Sequence, residues 1–302
     1  MADNVAITPG SGTDVATDEI GGKHYQRIKL AVGDDGTGVD VSHAEPLPVT
    51  TPGLEIAKGA LTGHKAFYAF GRNEDINTGT DPEDVWTPGG LWVAPTAARI
   101  HDIVSASAND DFTAPGTGAQ KILVEGLGAT FLEQSETVEM NGASNVATVL
   151  AYTRINRLTV TVAGSGLTNA GIITATAQSD STLTAEIGAG KSKSESARYT
   201  VPAAKSAYMT GVYGAIKAAS GGGSADDAEF AIIFRPAVDV ATSPVVEDGI
   251  FPVVDGGSSA FSHKFDPPRK YEGKTDILLR VVEVSTNDTH VSGGFDLIIV
   301  DD

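Results

Sequence analysis

Hydrophobic and polar residues alternate along most of this chain in short runs rich in Val, Ile, Thr and Tyr. In one clear run, Leu158, Val160 and Val162 fall on one side and Thr159 and Thr161 on the other, which is the period of a half-buried strand. Gly, Pro, Ser, Asn and Asp separate the runs, and no long helical pattern is present. The pattern predicts an all-β protein in which antiparallel sheets stack as a β-sandwich or a jelly roll.

One predicted strand lies in an N-terminal segment, and the others fall into two regions, residues 53–190 and 191–302. These regions form either two consecutive sandwiches or one larger one. The last two strands are expected to be central, since 277–279 and 297–300 are continuous apolar runs. The strand candidates are residues 23–32, 99–105, 120–125, 137–140, 146–162, 171–177, 182–187, 197–201, 207–216, 229–235, 260–265, 276–284 and 294–300.

Residues 1–52 differ from the rest of the chain. Residues 1–22 are polar and expected to be extended, and the sequence GDDGTG at 33–38 is a turn signal. Three prolines disfavour helix in the remainder and stiffen an extended connection: Pro46, Pro48 and Pro52. Such a segment cannot bury a core by itself. We therefore predict an N-terminal attachment arm that docks on its own body or on a neighbouring subunit.

Composition narrows the range of partners. The formal net charge of the 302 residues is −18, which argues against nucleic-acid binding because phosphate contacts need clustered Lys and Arg. The absence of cysteine excludes disulfides, thiolate metal sites and cysteine nucleophiles. The N-terminus lacks the features of a secretory signal, and no apolar stretch is long enough to insert into a membrane.

One polar loop has the spacing of a calcium site. Asp75, Asn77, Gly79 and Asp81 place oxygen ligands at alternate positions, as a loop wrapped around Ca²⁺ does. Trp86 occupies the position of the closing glutamate of an EF-hand, and no flanking helices are predicted. A solvated polar loop is the commoner structure, so we keep Ca²⁺ only as a weak alternative and expect no other cofactor.

No catalytic arrangement is apparent in the sequence. None of the six histidines forms a close ligand pair, and the chain has no nucleophile elbow, P-loop or dinucleotide fingerprint. The acidic pairs at 110–111 and 226–227 are compatible with a glycosidase, but any acidic β protein supplies such pairs. We therefore expect no enzymatic activity and no catalytic residues.

Two tryptophans are candidate ligand-binding residues. Trp86 and Trp92 flank a Pro-Gly-Gly turn, and exposed aromatic side chains on a loop can stack on sugars or anchor an interface. They can equally close the end of a sandwich, which is the interpretation that the usual burial of aromatic residues favours.

Several stretches of the chain resemble structural proteins of tailed bacteriophage virions. The opening MADNVAITPGSGTDVATDEIGGKHYQRIKL, with AEPLPVT after it, is similar to an N-terminal segment of varied phage structural proteins. YTVPAAKSAYMTG is similar to the phage sequence motif Y-T-I-P-A-G-K-T, with Ala204 in place of the usual glycine. Further similar stretches are GRNEDINTGTDPEDVW, VEGLGATFLEQSETVEMNG, YTRINRLTV, GLTNAGIITA and KTDILLRVVEVSTNDTHVSGGFDLIIVDD.

The resemblance covers most of the chain and implies assembly into a virion, without catalytic residues to transfer. We therefore expect a non-enzymatic structural component, present as a homo-oligomer such as a trimer, whose partners are its own copies and other capsid or tail proteins. Decoration, fibre and tail-associated roles all remain open, as does a host-receptor or carbohydrate-binding adhesin. The expected location is the virion, after assembly in the host cytoplasm. The expected interface residues on the arm are His24, Tyr25, Arg27, Ile28 and Leu30.

Overall fold

The computed structural model describes residues 17–26, 31–32, 39–40, 52–217, 226–255 and 258–302. They are nearly all β, as the alternation of the sequence predicts, with several antiparallel sheets and one short helix. Among these residues, no helix has the length and apolar character that a membrane crossing needs. The elements in chain order are β1 (Thr17–Ile20), β2 (Lys23–Gln26), β3 (Ala31–Val32), β4 (Val39–Asp40), α1 (Pro52–Ala57), β5 (His64–Ile76), β6 (Glu83–Asp84), β7 (His101–Ser105), β8 (Ala119–Leu127), β9 (Glu133–Glu139), β10 (Val146–Ala147), β11 (Arg154–Ala163), β12 (Ile173–Ala177), β13 (Leu183–Ile187), β14 (Arg198–Thr200), β15 (Lys205–Lys217), β16 (Asp226–Arg235), β17 (Val246–Asp255), β18 (Ser258–Tyr271), β19 (Asp276–Val284) and β20 (Thr289–Asp301).

Residues 1–55 form a unit of their own. Its described part contains the antiparallel hairpin β1–β2, whose two-residue turn Gly21-Gly22 has φ angles of 60° and 78°. Glycine adopts these angles without strain, and they suit the twist of a hairpin. Residues 17–20 are therefore extended, as predicted, but they are also paired in a hairpin, and residues 21–22 form its turn. Strands β3 and β4 pair on either side of the predicted turn at 33–38.

The helix α1 begins at Pro52, which had been expected to disfavour helix. Proline is well tolerated at the first helical position, because the N–H group that it lacks has no partner within the helix there. The other two prolines of the predicted connection, Pro46 and Pro48, lie outside the described residues.

Residues 56–302 form one compact unit built from two sandwiches. The first sandwich has one sheet with strand order β18-β15-β20-β5 and a second with order β14-β19-β16-β17, in which β6 also pairs with β19. The facing sides of these sheets enclose one core that includes Phe67, Met209, Phe230 and Phe295. Strands β19 and β20 each lie between two neighbours, in agreement with their continuous apolar runs.

The second sandwich is inserted into the first. The chain leaves the first sandwich after β6, forms two sheets with orders β10-β7-β12-β13 and β11-β8-β9, and returns at β14. The inserted core includes Ile103, Ile122, Tyr152 and Leu158. The predicted division near residue 190 thus lies close to the return of the chain. However, β5 and β6, in the predicted middle region, pair with the C-terminal strands β20 and β19. Alternation identifies the buried face of a strand but not its partner.

Two long strands lie where the sequence predicted none. The second half of β5 runs into a polar stretch, residues 71–90, that was predicted to be a loop. Its polar residues are compatible with a strand because Ile76 still reaches the core. Strand β17 contains Pro252, which lacks a backbone N–H group for pairing. Because β17 is at the edge of its sheet, a missing N–H group there is tolerated.

Asp110 holds the loops of the inserted sandwich together. Its buried carboxylate accepts hydrogen bonds from the Ser105 hydroxyl at 2.5 Å and from the backbone N–H groups of Ala119, Ala170 and Gly171 at 2.5, 2.8 and 2.9 Å. Four donors compensate the loss of water around the buried charge. The acidic pair at 110–111 that suggested a glycosidase therefore has one member fully engaged in structure.

Ala204 provides a test of backbone strain. Its φ is 59°, in the left-handed region that costs a residue with a Cβ about 1–2 kcal/mol. We expect Ala204→Gly to raise the free energy of unfolding by about 0.5–1 kcal/mol, because the greater entropy of glycine in the unfolded chain offsets part of the gain. Chemical denaturation measures this change. The neighbouring variant Ala203→Gly should not stabilise the protein, and an unchanged or lower stability of Ala204→Gly would contradict the strain.

His101 should make the inserted sandwich sensitive to acid. The ring is fully buried, its Nδ1 bonds the Arg99 carbonyl at 2.9 Å, and burial lowers the pKa of this histidine below its ordinary value of 6.5. Below pH 6.5 the unfolded chain binds a proton more readily than the folded one, so stability falls as pH decreases through that value. We expect His101→Gln to show a smaller loss of Tm between pH 7 and pH 5 than the wild type. Equal losses would show that other groups dominate.

Candidate functional site

The inserted sandwich meets the first one through buried polar side chains. Arg154 on β11 donates from Nε and Nη2 to the two carboxylate oxygens of Asp276 on β19, at 2.9 and 3.0 Å. The side chains of Arg154 and Asp276 are only 4% and 8% exposed. Thr200 on β14 donates its hydroxyl to the same carboxylate at 2.6 Å. The bidentate geometry fixes the direction as well as the distance of the contact.

A second link next to this pair has the hydrogen-bond pattern of paired β-strands, with one bond donated and one accepted. The side-chain amide of Asn156 donates to the Thr200 carbonyl at 3.1 Å and accepts from the Thr200 N–H at 3.0 Å. Together with the Arg154–Asp276 pair it ties β11 to β14 and β19. We call this set of contacts, made by Arg154, Asn156, Thr200 and Asp276, the seam.

Arg198 extends the seam beneath Trp92. Its Nη2 donates to the carbonyls of Ile155 and Thr184, both at 2.6 Å, and its Cζ lies 4.3 Å from the centre of the Trp92 ring. Burial lowers the pKa of this guanidinium to about 9, so it remains charged at neutral pH. Its Nε and Nη1 have no hydrogen-bond partner among the described residues.

Asp84 and Arg280 form a further ion pair on the same sheet. They face each other across the β6–β19 pairing, with Arg280 Nε 2.7 Å from Asp84 Oδ1. The other carboxylate oxygen accepts the backbone N–H of Trp92 at 2.7 Å. Burial raises the pKa of Asp84, against the opposing effect of Arg280. This carboxylate anchors the segment that crosses the outer face of the sheet at residues 92–98.

A groove of about 780 Å³ opens between that segment, the seam and the outer face of the sheet. This volume is in the range of small-molecule sites. Its floor contains Ile233 and Leu278, which pair across β16 and β19. Three arginines also line the groove: Arg154, Arg235 and Arg280. This groove is the candidate functional site.

The predicted calcium loop is held by its own hydrogen bonds. Asn77 donates its amide to Asp75 at 2.9 Å and accepts the Asp288 N–H at 3.0 Å, so it joins the loop to the β19–β20 turn. Asp81 accepts the Val284 N–H at 3.4 Å. Across the described residues, no group of three or more His, Asp or Glu side chains is placed to hold a metal ion.

The two tryptophans have different surroundings. Trp86 is 5% exposed and donates its ring N–H to the Gly90 carbonyl, so its ring packs within the body. Trp92 is partly buried, donates its ring N–H to the Thr184 carbonyl at 3.0 Å and forms one wall of the groove. Only Trp92 is therefore placed where a ligand can reach it.

Of the predicted interface residues, His24 and Tyr25 lie on β2 and are exposed. Arg27, Ile28 and Leu30 lie outside the described residues. Tyr25 shares a face of the hairpin with Ile20, because the register pairs Ile20 with Lys23, two residues before Tyr25. Tyr25 and Ile20 are 54% and 66% exposed.

The sequence analysis did not identify the arginines of the site. Arg154, Arg198 and Arg280 stand within strands whose neighbours are buried, and a charged side chain in such a position needs a partner. That signal was present in the sequence. The identity of the partners was not, since Arg154 and Asp276 are 122 residues apart.

Comparison with known protein families, with curated proteins and with solved structures gave no match.

Removing Asp276 should weaken the contact between the two sandwiches and so destabilise the protein. Asp276→Ala leaves Arg154 buried without its carboxylate, and we expect it to lower the free energy of unfolding by about 3–5 kcal/mol. The double variant Arg154→Met/Asp276→Leu should recover most of that loss, because no buried charge is left unpaired. Chemical denaturation measures both variants.

The exposed pair Lys121–Glu139 offers a matched control. Its atoms are 2.8 Å apart, but the side chains are 31% and 51% exposed. Glu139→Gln should leave stability unchanged within error, since exposed ion pairs contribute little. An equally small effect of Asp276→Ala would show that the seam is not a significant source of stability.

Proposed function

We propose that this chain is a non-enzymatic structural subunit of a tailed-phage virion. It joins the capsid or the tail as a homo-oligomer, through its N-terminal arm. The resemblance of the sequence to phage structural proteins motivates the class of protein. The observation that carries the mode of attachment is the pair of exposed apolar side chains, Ile20 and Tyr25, on one face of the β1–β2 hairpin.

The argument for attachment is energetic. A two-stranded hairpin is at best marginally stable in water, because it has no second layer against which to bury side chains. Ile20 and Tyr25 leave apolar surface exposed on one face. Burying both side chains against a neighbouring subunit contributes on the order of 25 cal/mol for each Å² removed from water. The same buried area therefore stabilises the hairpin and contributes to its binding free energy when it docks.

Assembly multiplies such weak contacts. In a symmetric particle each copy makes the same contact, so a modest interaction per arm becomes a stable attachment for the oligomer. The net charge of −18 supports the same role, since it favours solubility of the free subunits before assembly.

The test changes the apolar face alone. In particles assembled with the double variant Ile20→Ser/Tyr25→Ser as the only copy of the protein, we expect incorporation to fall at least about tenfold, because the buried apolar area is lost. Glu19→Gln, on the opposite face of the hairpin, should be incorporated normally. Mass spectrometry of purified particles measures the amount of protein. Normal incorporation of the double variant would refute attachment through this face.

A deletion of residues 1–50 extends the test to the whole arm. The remaining body should unfold at the same temperature as the full chain and be missing from particles. A label on the full-length protein in intact particles then distinguishes a head location from a tail location. A protein that is absent from virions altogether would refute the proposed class.

A further inference from the structure

The residues that surround the groove carry more positive than negative charge. Arg154 and Arg280 have one carboxylate partner each, Asp276 and Asp84. Arg235 also lines the groove, and its Nη2 donates a long hydrogen bond to the Ala241 carbonyl at 3.3 Å. Arg198 lies directly behind Trp92. Asp239, at the rim, is paired with Lys274 at 2.6 Å.

Three arginines therefore line the groove against two carboxylates, Asp239 and Asp276, in a chain whose net charge is −18. Such a local surplus in an acidic protein is not explained by solubility, because the arginines are buried or half-buried. Buried cations are costly unless a negative group or several acceptors surround them.

Unused donors point to the same conclusion. The Nε of Arg235 is buried and has no hydrogen-bond partner among the described residues. Among the described residues, Arg280 bonds Asp84 through its Nε alone, so its two terminal amino groups are left for another acceptor at the groove. Buried groups of this kind are normally satisfied by a water, an ion or a ligand.

The strand register sets the distance between the two donor groups that line the groove. Arg235 on β16 lies opposite Asp276 on β19, four residues before Arg280. At about 3.3 Å per residue, Arg235 and Arg280 are roughly 13 Å apart along the strands. Between them lie Ile233 and Leu278. The groove thus has an arginine at each end of an apolar floor, with Asp276 opposite Arg235 and Asp84 opposite Arg280.

We propose that the groove binds an elongated ligand with a carboxylate at each end of an apolar body. One carboxylate bonds the guanidinium of Arg235 and the other the terminal amino groups of Arg280, while the apolar part lies on Ile233 and Leu278. Carboxylates fit because the guanidinium fork offers two parallel donors to one carboxylate. This binding site is independent of the attachment through the arm.

The test uses aliphatic dicarboxylates as probes on the full chain. Adipate, suberate and sebacate present two carboxylates at increasing separation, and binding is followed by protein NMR or calorimetry. We expect affinity to depend on chain length. Octanediol and octanediamine should bind at least about tenfold more weakly than suberate, because they lack charge-assisted hydrogen bonds to the arginines.

Variants place the binding in the groove. Arg235→Gln removes one end cation without touching an ion pair, and we expect it to weaken binding of the best dicarboxylate about tenfold. Arg280→Lys keeps the charge next to Asp84 but loses the fork, and should also weaken binding. Lys121→Gln removes a cation of the inserted sandwich that does not line the groove, and should have no effect.

Three results would overturn the proposal. The first is equal affinity for suberate and octanediol, and the second is equal affinity of the wild type and Arg235→Gln. The third is a loss of binding in Lys121→Gln as large as in Arg235→Gln, which would mean that only the overall charge matters. The thermal unfolding of each variant, measured alongside, separates lost binding from lost folding.

Discussion

The buried ion pair between Arg154 and Asp276 is the contact on which the arrangement of the two sandwiches depends. Each sandwich has its own apolar core, so hydrophobic burial stabilises them separately. At the seam the attraction is polar and directional, since the bidentate pair and the Asn156–Thr200 contacts are satisfied only in one geometry. Any other orientation of the two sandwiches would separate the pair and leave a buried charge without its partner. The free-energy cost of that separation is larger than the cost of rearranging apolar contacts.

The same constraint creates the groove. Trp92 packs on the outer face of the sheet next to Ile233 and Leu278, and the remaining space between the seam, the Trp92 segment and the sheet is about 780 Å³. Arginines suit this position because their planar, weakly hydrated heads can stack on Trp92 and Phe131 while they bond carboxylates and carbonyls. The arginines that hold the structure together here therefore also supply hydrogen-bond donors to the groove.

Attachment and ligand binding are assigned to different parts of the chain. The hairpin offers apolar surface and lies in the unit formed by residues 1–55, whereas the groove offers positive charge and lies in the unit formed by residues 56–302. In a protein this acidic, a concentration of arginine is a more specific feature than a concentration of carboxylates. The two proposals therefore depend on separate observations and fail separately.

The sequence alone determined the all-β class, the inner positions of β19 and β20 and many of the strands, because the alternation of apolar and polar residues follows from the two faces of a strand. It missed β5 and β17, whose polar and proline residues are acceptable at a sheet surface or edge. The tertiary structure decided which strands pair. It therefore also decided that one sandwich is inserted in the other. It also decided the groove, since Arg154, Arg235 and Arg280 come from three strands distant in sequence. Pairing over such distances depends on which buried groups come together, and a local sequence pattern does not determine the partner of a strand.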